Sequence, residues 1–486
     1  MKKPTILGLS ASLRNFRLAT ESPSLAQEIA ALDSLERITS YIGEHSKRKR
    51  GAKDGLSNSE AALAMALWGA HQEGAEIEHI SLSDHFPPAG EAKDLAFLAK
   101  HILAADGILL STPTYFGDRS SASMHFIEMI RASKELREGV RGKVYAGIAV
   151  GAKRNGGQET TLIYQMLDLM NCGFIGVGND SDTTSQYGGT GHAGDIGAMA
   201  GDTYGLNTCL GTGRRIARVA AILHSGTEFQ LRDNLHLGAW KLQDRNNALD
   251  QLLPRLFEAS GITPHAHHFD MTDKNIRPCN ACSSCPSSIG PDHEYRCFIK
   301  GNDGMRKMHT ELIKADVLMP IIYSPVDRKG LISSYQEFME RTRYLRRGDY
   351  VFSDRLVIPL VFEELGAKEN MHIRIITSTI RHHTMMHRPV IGWISDGKLL
   401  NPEQVVEDLS QALDMGLRLT AGRLGLLALD SRVVSYNPVG YVLANLDENE
   451  RENILARQQS SQERKERLME ESRRRLELIC DRHARN

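Results

Sequence analysis

The chain has 486 residues, 24% of them charged and 41% hydrophobic, with a formal net charge of −1. Single cores stop growing near about 250–300 residues, so this length calls for two or three domains. The balanced charge excludes a global pull toward nucleic acid or an anionic membrane, and no apolar run approaches the roughly 18 residues expected of a membrane span.

Met1-Lys2-Lys3 followed by Thr5-Ile6-Leu7-Gly8-Leu9 is too short for a secretion signal and is soon followed by Arg14, so it reads as a first strand, Thr5–Ser10. An insertion from Phe16 to about Asn58 carries Lys47-Arg48-Lys49-Arg50, most simply a solvated loop, with a lid or a phosphate contact as the sharper reading. Strands over Glu76–Leu82, Gly107–Ser111, Val144–Val150 and Phe174–Val177 then alternate with helices over Glu60–Glu73, Leu95–Ala105, Ser121–Leu136 and Thr160–Asn171. Strands joined through helices pair in parallel by right-handed crossovers, which predicts an α/β doubly wound sheet. Gly211-Thr212-Gly213-Arg214 precedes a terminal helix rather than following a strand, so it is a poor dinucleotide fingerprint, and no separate nicotinamide-binding module is read.

The pattern then restarts. Ala105-Asp106-Gly107 through Tyr115, with Phe126 and Arg131, matches Ala315-Asp316-Val317 through Pro325, with Phe338 and Arg341. Gly151-Ala152-Lys153 to Ile175-Gly176 likewise matches Gly366-Ala367-Lys368 to Ile391-Gly392. Two matches in one order, offset by about 210 residues, predict a duplicated domain. The expected domains are 1–217, 218–447 and a charged helical tail, 448–486, that is solvated or partner-binding. In the second copy the reading places a strand at Val219–Leu223, a helix at Ala248–Ser260 and a strand at Pro264–Phe269. Arg381-His382-His383-Thr384-Met385-Met386-His387 reads as packing before metal or haem binding, and His265, His267 and His268 as an edge or solvated strand.

Ligands of open α/β sheets bind beyond the carboxyl ends of the strands. After the first strand, Ser10-Ala11-Ser12-Leu13-Arg14 offers close backbone approach, hydroxyls and one charge to a phosphate. After the third, Pro113-Thr114-Tyr115-Phe116-Gly117 is a rigid turn whose two aromatics can lie against a planar ring. After the fourth, Gly151 and Gly156-Gly157-Gln158-Glu159 offer close approach and amides to a polar edge. Phosphate at one end and a flat heterocycle at the other describe FMN. The second half holds Cys279-x2-Cys282-x2-Cys285-x11-Cys297, four of the chain's seven cysteines, a spacing suited to thiolate ligation of an iron-sulfur cluster or of zinc. Thiols of that kind point to a reducing cytoplasm.

These three loops resemble the NADPH-dependent FMN reductase family of the flavodoxin-like superfamily, and the cysteine run is similar to its iron-sulfur flavoprotein members. The resemblance implies two tandem flavodoxin-like domains. It implies that Ser10, Ser12 and Arg14 hold the phosphate, that Pro113, Thr114, Tyr115 and Phe116 hold the isoalloxazine, and that Gly156, Gly157, Gln158 and Glu159 line its edge. Tyr187-Gly188-Gly189-Thr190-Gly191 resembles a further loop near the flavin. It also implies NAD(P)H as donor, a [4Fe-4S] cluster on Cys279, Cys282, Cys285 and Cys297, a small-molecule acceptor, and a pseudo-dimer built within one chain. The departures are specific: the first copy lacks cysteines between its second and third strands, the second lacks Ser-x-Arg in His224–Phe229 and Gly-Gly in Glu369-Asn370-Met371-His372, and Cys297 stands farther from Cys285 than in compact members. The expected function is an FMN-dependent oxidoreductase passing electrons between FMN and the cluster. A quinone or flavin reductase with zinc or no metal, a non-enzymatic electron carrier with a redox-protein partner, and a flavoenzyme of a biosynthetic step stay open, as does homo-oligomerisation.

Overall fold

The computed structural model describes residues 3–13, 24–46, 55–180, 185–231, 235–242, 247–261, 265–272, 276–282, 295, 297–327, 330–347, 351–429, 466–467, 469–478 and 480–482. Arg14, the basic run 47–50 and Cys285 lie outside them. The chain divides into two units, Met1–His224 and Ser225–Asn486. No helix among the described residues is long and apolar enough to cross a membrane.

The first unit is built on β1 (Thr5–Ser10), β2 (Glu76–Ser81), β3 (Gly107–Pro113), β4 (Val144–Gly151), β5 (Ile175–Val177) and β6 (Gly189–His192). All are parallel, in the order β2-β1-β3-β4, with β5 pairing the start of β4 and β6 its end. Ser10 stands beside Ser81 and Ser111, Pro113 beside Val150 and Gly151 beside His192, so the carboxyl ends of these strands form one edge. Leu7, Leu9, Ile108, Leu109, Ala146 and Ile148 are fully buried, as near-continuous apolar strands covered on both faces should be.

Helix Asn58–Gln72, opened by a Ser57–Glu60 capping box, is buried from Ser59 to Ala70. A helix apolar all round must be covered on its outer side, and the insertion does this. Instead of a plain loop it holds helices Leu25–Ala30 and Leu35–Ser46, whose Ile29, Ile38 and Ile42 are fully buried, and the Trp68 indole N–H donates to the Leu32 carbonyl at 2.9 Å.

The strand expected at Val219–Leu223 is the end of a 24-residue helix, Thr203–Gly226. A short apolar run cannot by itself be told from a helical stripe; here Ile216, Val219, Ala220 and Leu223 recur at helical spacing and are buried, while Arg218 between them pairs with Glu73 and the buried Asp180. The second unit's first parallel strand is instead His236–Leu242.

In that unit β7 (Phe229–Leu231) precedes β8 (His236–Leu242), β9 (His265–Asp270), β10 (Val317–Ser324), β11 (Leu356–Val357), β12 (Leu360–Glu364), β13 (Met385–Met386), β14 (Val390–Ser395) and β15 (Lys398–Leu399). The parallel order is β9-β8-β10, then β11 and β12 in line, then β13 and β14 in line, with β15 antiparallel at the end. The breaks fall at Pro359 and Pro389, which have no N–H for the ladder. His265, His267 and His268 lie on β9, which pairs only β8 in this order. His382, His383 and His387 are buried in packing: the His382 ring meets Thr342 Oγ1 at 3.0 Å, and His387 Nδ1 lies 2.8 Å from the Arg388 carbonyl.

The described part of the C-terminal segment is helical over 469–478, but one side of it is docked rather than solvated. Ser472 is buried, Arg475 forms an ion pair with the buried Asp316, and Leu476 packs on Phe229, Ala421 and Leu424. Beyond it β16 (Cys480–Arg482) pairs antiparallel with β7. Strand pairing and a buried charge partner outweigh the exposure that the segment's composition suggests.

Candidate active site

The carboxyl edge of the first unit gathers three of the loops singled out in the sequence. After β1 the backbone turns at Ala11, whose N–H donates to the Ser111 carbonyl at 2.8 Å and whose carbonyl accepts from the Ser120 hydroxyl at 2.8 Å. Ser12 is buried and Leu13 is 41% exposed at the loop rim. Ser10 departs from the expected phosphate role in one respect: it is fully buried, and its hydroxyl meets His79 Nε2 on β2 at 3.2 Å. The strand's own pairing takes that side chain, so Ser12 is the serine nearer the rim.

After β3 the chain makes a two-residue hairpin. Tyr115 N–H donates to the Asp118 carbonyl at 2.7 Å and Asp118 N–H to the Tyr115 carbonyl at 2.9 Å, with positive φ at Phe116 (53°) and Gly117 (77°). Two successive left-handed residues are the signature of a type I′ turn. Glycine adopts that geometry freely; a phenylalanine there is strained by about 1–2 kcal/mol. The strained ring has no packing to offset its cost, since Phe116 is 108% exposed and Tyr115 is 56% exposed. Apolar surface held out in water by a strained backbone is arranged for a ligand rather than for the fold.

The loop after β4 leans on that hairpin. Thr114 N–H donates to the Val150 carbonyl at 2.8 Å, and Gly157 has φ +101°. A Cβ at Gly157 would stand 2.8 Å from Gly117 Cα and 3.5 Å from Thr114 Cγ2, so both the conformation and the approach require glycine. Gln158 is corrected by the structure. Its side chain, expected to meet a ring edge, is buried and spent on its own loop: Nε2 donates to the carbonyls of Lys153 (2.7 Å) and Gly191 (3.0 Å), and Oε1 accepts from Gly156 N–H (2.7 Å). A Cβ on Gly151 would collide with that amide at 2.7 Å. Gln158 therefore braces the loop. Glu159 is exposed in the first turn of helix Gln158–Asn171, which no side chain caps, so the free N–H groups of that turn face the loop cluster.

A cavity of about 670 Å³ opens beside this loop, lined in part by Arg154, Asn155, Thr160, Ser185, Thr190 and Tyr204. Arg154 lies 5.0 Å from the centre of the Tyr204 ring, donates to the Thr190 carbonyl at 3.1 Å and pairs with Asp202. Neither Arg154 nor Tyr204 stood out in the sequence, because the long helix supplying Tyr204 is remote in the chain. Below the hairpin, Arg119 is buried and shares Asp168 with Arg131. Tyr187 is 8% exposed and sits where the chain enters β6, which pairs the later half of β4 from Ile148. It does not line the cavity.

The residues fit FMN. The observation that tests this is the cradle: two glycine-containing loops in backbone contact at Gly117 and Gly157, an uncapped helix N-terminus, and two exposed aromatics on one sheet edge.

In the second unit the carboxyl end of β12 and the turn that follows it carry carboxylates. Glu364 accepts from the Tyr323 hydroxyl (2.7 Å) and from Val326 N–H (2.9 Å), Glu369 accepts from the Ser324 hydroxyl (3.2 Å), and Glu363 lies 3.3 Å from His372 Nδ1. Cys279, Cys282 and Cys297 lie in irregular chain after β9, half-buried and in no disulfide. Among the described residues, no three His, Cys, Asp or Glu side chains form a group that could hold a metal. The donors are nonetheless of a kind that suits a soft metal: Cys279 Sγ accepts from Ala281 N–H at 3.4 Å, and Cys297 Sγ lies 3.8 Å from Arg341 Nη2.

The sequence profile of the NADPH-dependent FMN reductase family matches residues 46–180, within the first unit. An iron-sulfur flavoprotein of Methanocaldococcus jannaschii is 36% identical over 181 residues, which are 34% of this chain and 92% of that protein. An iron-sulfur flavoprotein of Methanosarcina thermophila is 26% identical over 187 residues, 35% of this chain and 92% of its own. An NAD(P)H dehydrogenase (quinone) of Methylocella silvestris is 29% identical over 176 residues, 32% of this chain and 87% of its own. Together with the parallel sheet and its loop cradle, these matches show that the chain belongs to the flavodoxin-like NADPH-dependent FMN reductase family and is an FMN-dependent oxidoreductase.

Proposed function

We propose that the chain is a tandem duplication in which the first repeat holds FMN and the second holds a redox-active [4Fe-4S] cluster, with NAD(P)H as electron donor. The observation that carries the flavin assignment is the Gly117–Gly157 contact beneath the exposed Tyr115 and Phe116. Bound there, FMN supplies the exchange between two-electron and one-electron chemistry. Ser12 and Arg14 anchor its phosphate; Tyr115 and Phe116 cover a ring face; the backbone of Gly156 and Gly157, held by Gln158, meets the ring edge; Arg154 and Tyr204 receive the substrate side. Glu363, Glu364 and Glu369 in the second repeat argue against a second anionic cofactor on its corresponding edge.

Duplication is supported by more than strand order, which runs second-first-third-fourth-fifth in both units. Asp106, ahead of β3, accepts from Thr5 N–H at 2.8 Å and pairs with His224 at 2.7 Å. Asp316, ahead of β10, accepts from His236 N–H at 3.1 Å and pairs with Arg423 at 3.0 Å. In each unit an acid before the third strand caps the first strand and meets a nitrogen-bearing side chain from the closing helix. Gly157 and Asn370 are both left-handed, uncapped residues that open the helix after the fourth strand.

The cluster assignment rests on the four-cysteine spacing, the N–H donors on Cys279 and Cys297, and the two iron-sulfur flavoprotein relatives. An anaerobic absorption spectrum with iron and acid-labile sulfide analysis, on wild type and Cys282→Ala, tests it. Flavin bands plus about four irons lost in the variant support the full reading. Flavin bands without iron leave a quinone or flavin reductase, and protein with neither sinks the proposal.

A further inference from the structure

The hairpin that presents Tyr115 and Phe116 cannot hold itself in place. It is closed by one isolated bridge between Tyr115 and Asp118, its turn contains a left-handed phenylalanine, and both aromatics are exposed. A lone two-stranded hairpin is marginal in water, and a strained backbone persists only where its surroundings over-determine it. The Gly117–Gly157 approach brings two backbones together but is not a bond. The attachment comes from the residue that follows the hairpin. The Arg119 side chain is 5% exposed, and its Nη2 pairs with Asp168 on helix Gln158–Asn171. Its Nη1 lies 3.5 Å from Asp118 Oδ1, the same oxygen that accepts the Arg119 backbone N–H at 2.8 Å, and its Nε faces Met124 Sδ at 3.1 Å.

One guanidinium thus joins the closing residue of the hairpin to the helix that Gly157 opens. The Gly156–Gly157 loop is fixed at the start of that helix and the hairpin about three turns further along it, so the pair between Arg119 and Asp168 sets the distance between the two loops. Asp168 is 24% exposed and is shared with Arg131, at the end of helix Ser121–Ala132, whose side chain is 47% exposed. The two arginines hold different things: Arg131 joins helix to helix, and Arg119 joins the hairpin to the helix. Breaking a buried ion pair is costly when it strands a charge. Removal of Arg119 leaves Asp168 with Arg131 as its partner, so a neutral residue at this position strands none there.

We propose that Arg119 is a positioning residue for flavin binding and turnover: through Asp118 and Asp168 it fixes the hairpin against the Gly156–Gly157 loop and so sets where Tyr115 and Phe116 lie against the flavin. This rests on the reading that those two loops hold FMN.

The test uses full-length wild type, Arg119→Gln, Arg119→Lys, Arg131→Gln and Phe116→Ala. On flavin-free protein, denaturant unfolding is measured, and hydrogen exchange of the peptide containing the Tyr115 and Asp118 amides is followed by mass spectrometry. With FMN added, the affinity, the visible circular dichroism of the flavin at saturation, and kcat and KM for NAD(P)H oxidation are read. Expected for Arg119→Gln are faster exchange in the hairpin, FMN binding weakened by about tenfold or more, an altered flavin dichroism and a lower kcat. Arg119→Lys keeps the charge on Asp168 but not the fork, so it should show the same changes at smaller size. Arg131→Gln keeps the tie to the hairpin and should match wild type in exchange, affinity and dichroism. At saturation the dichroism reports the surroundings of the ring and not the amount of folded protein, so a residue that only stabilises the unit leaves it unmoved. Wild-type exchange, affinity and dichroism in Arg119→Gln, or equal losses in Arg131→Gln, overturn the proposal; if Arg119→Gln does not fold, wild-type values in Arg119→Lys do so. In either case an impaired Phe116→Ala leaves the flavin reading standing. Wild-type FMN affinity and dichroism in Phe116→Ala show that the hairpin does not meet the flavin, which overturns that reading and this proposal together.

Discussion

Replacing Gly157 by alanine perturbs the contact on which the proposed flavin site depends. The left-handed backbone, φ +101°, costs a non-glycine residue about 1–2 kcal/mol. The new methyl would then stand 2.8 Å from Gly117 Cα, and because the obstacle is backbone, the hairpin and the Gly156–Gly157 loop must part to reach ordinary contact beyond 3.4 Å. Overpacking of this kind adds about 1–3 kcal/mol. Gly74→Ala is the matched control: φ is +88°, nothing lies within 4 Å of its Cβ, and it sits at the far end of β2. It should show the backbone cost alone. Denaturant unfolding by circular dichroism and FMN binding by fluorescence quenching are read on both. Gly157→Ala should be less stable than Gly74→Ala by about 1–3 kcal/mol and should bind FMN at least about tenfold more weakly, the equivalent of about 1.4 kcal/mol, while Gly74→Ala binds normally. Equal stability and equal FMN affinity in the two variants would refute the argument that the Gly117–Gly157 approach shapes the site.

Phe116→Gly should separate stability from function: it relieves a left-handed phenylalanine and loses no packing, so the flavin-free protein gains about 1 kcal/mol while FMN affinity and NAD(P)H-driven turnover fall; a destabilised variant with intact binding contradicts this. Acid should weaken the second unit through its buried histidines. Burial lowers His382 from the ordinary 6.5 to about 3 and His387 to about 4. The unfolded chain takes up protons from about pH 6.5 downward and the folded one does not until about pH 4, so stability is full above that upper value and falls by about 1.4 kcal/mol per pH unit per histidine below it. Chemical denaturation at pH 7 and pH 5 measures the slope, and a flat profile, or one unchanged in His382→Gln, counts against it.

Much of the first unit was legible because its strands are apolar runs bounded by turn residues: β1 falls at Thr5–Ser10 as read, and β2 to β5 shift by a residue or two, whereas β6, rich in glycine, was read as a loop. Tyr115 and Phe116 were legible as turn aromatics because Pro113 and Gly117 frame a turn, and both are exposed in the folded chain. Gln158 was misread because residue type reports the capacity to hydrogen-bond and not the partner, and the Lys153 and Gly191 carbonyls that take its amide are identified only by the folded loop and by β6. Val219–Leu223 was misread because an apolar pentad suits either period; burial of residues three and four apart decides for helix.

The sequence by itself determined what is local: the alternation of strand and helix, the glycines and aromatics of three loops, and the cysteine spacing. Tertiary structure alone decided what depends on residues far apart in the chain. Thr203–Gly226 brings Tyr204 beneath Arg154, Arg341 reaches both Arg277 and Cys297, and the C-terminal residues 469–478 and 480–482 dock through Arg475 on Asp316 and β16 on β7. Each is a pairing of groups whose separate chemistry is visible in the sequence but whose proximity is set by how sheets and helices pack, and packing is a property of the whole chain rather than of any window within it.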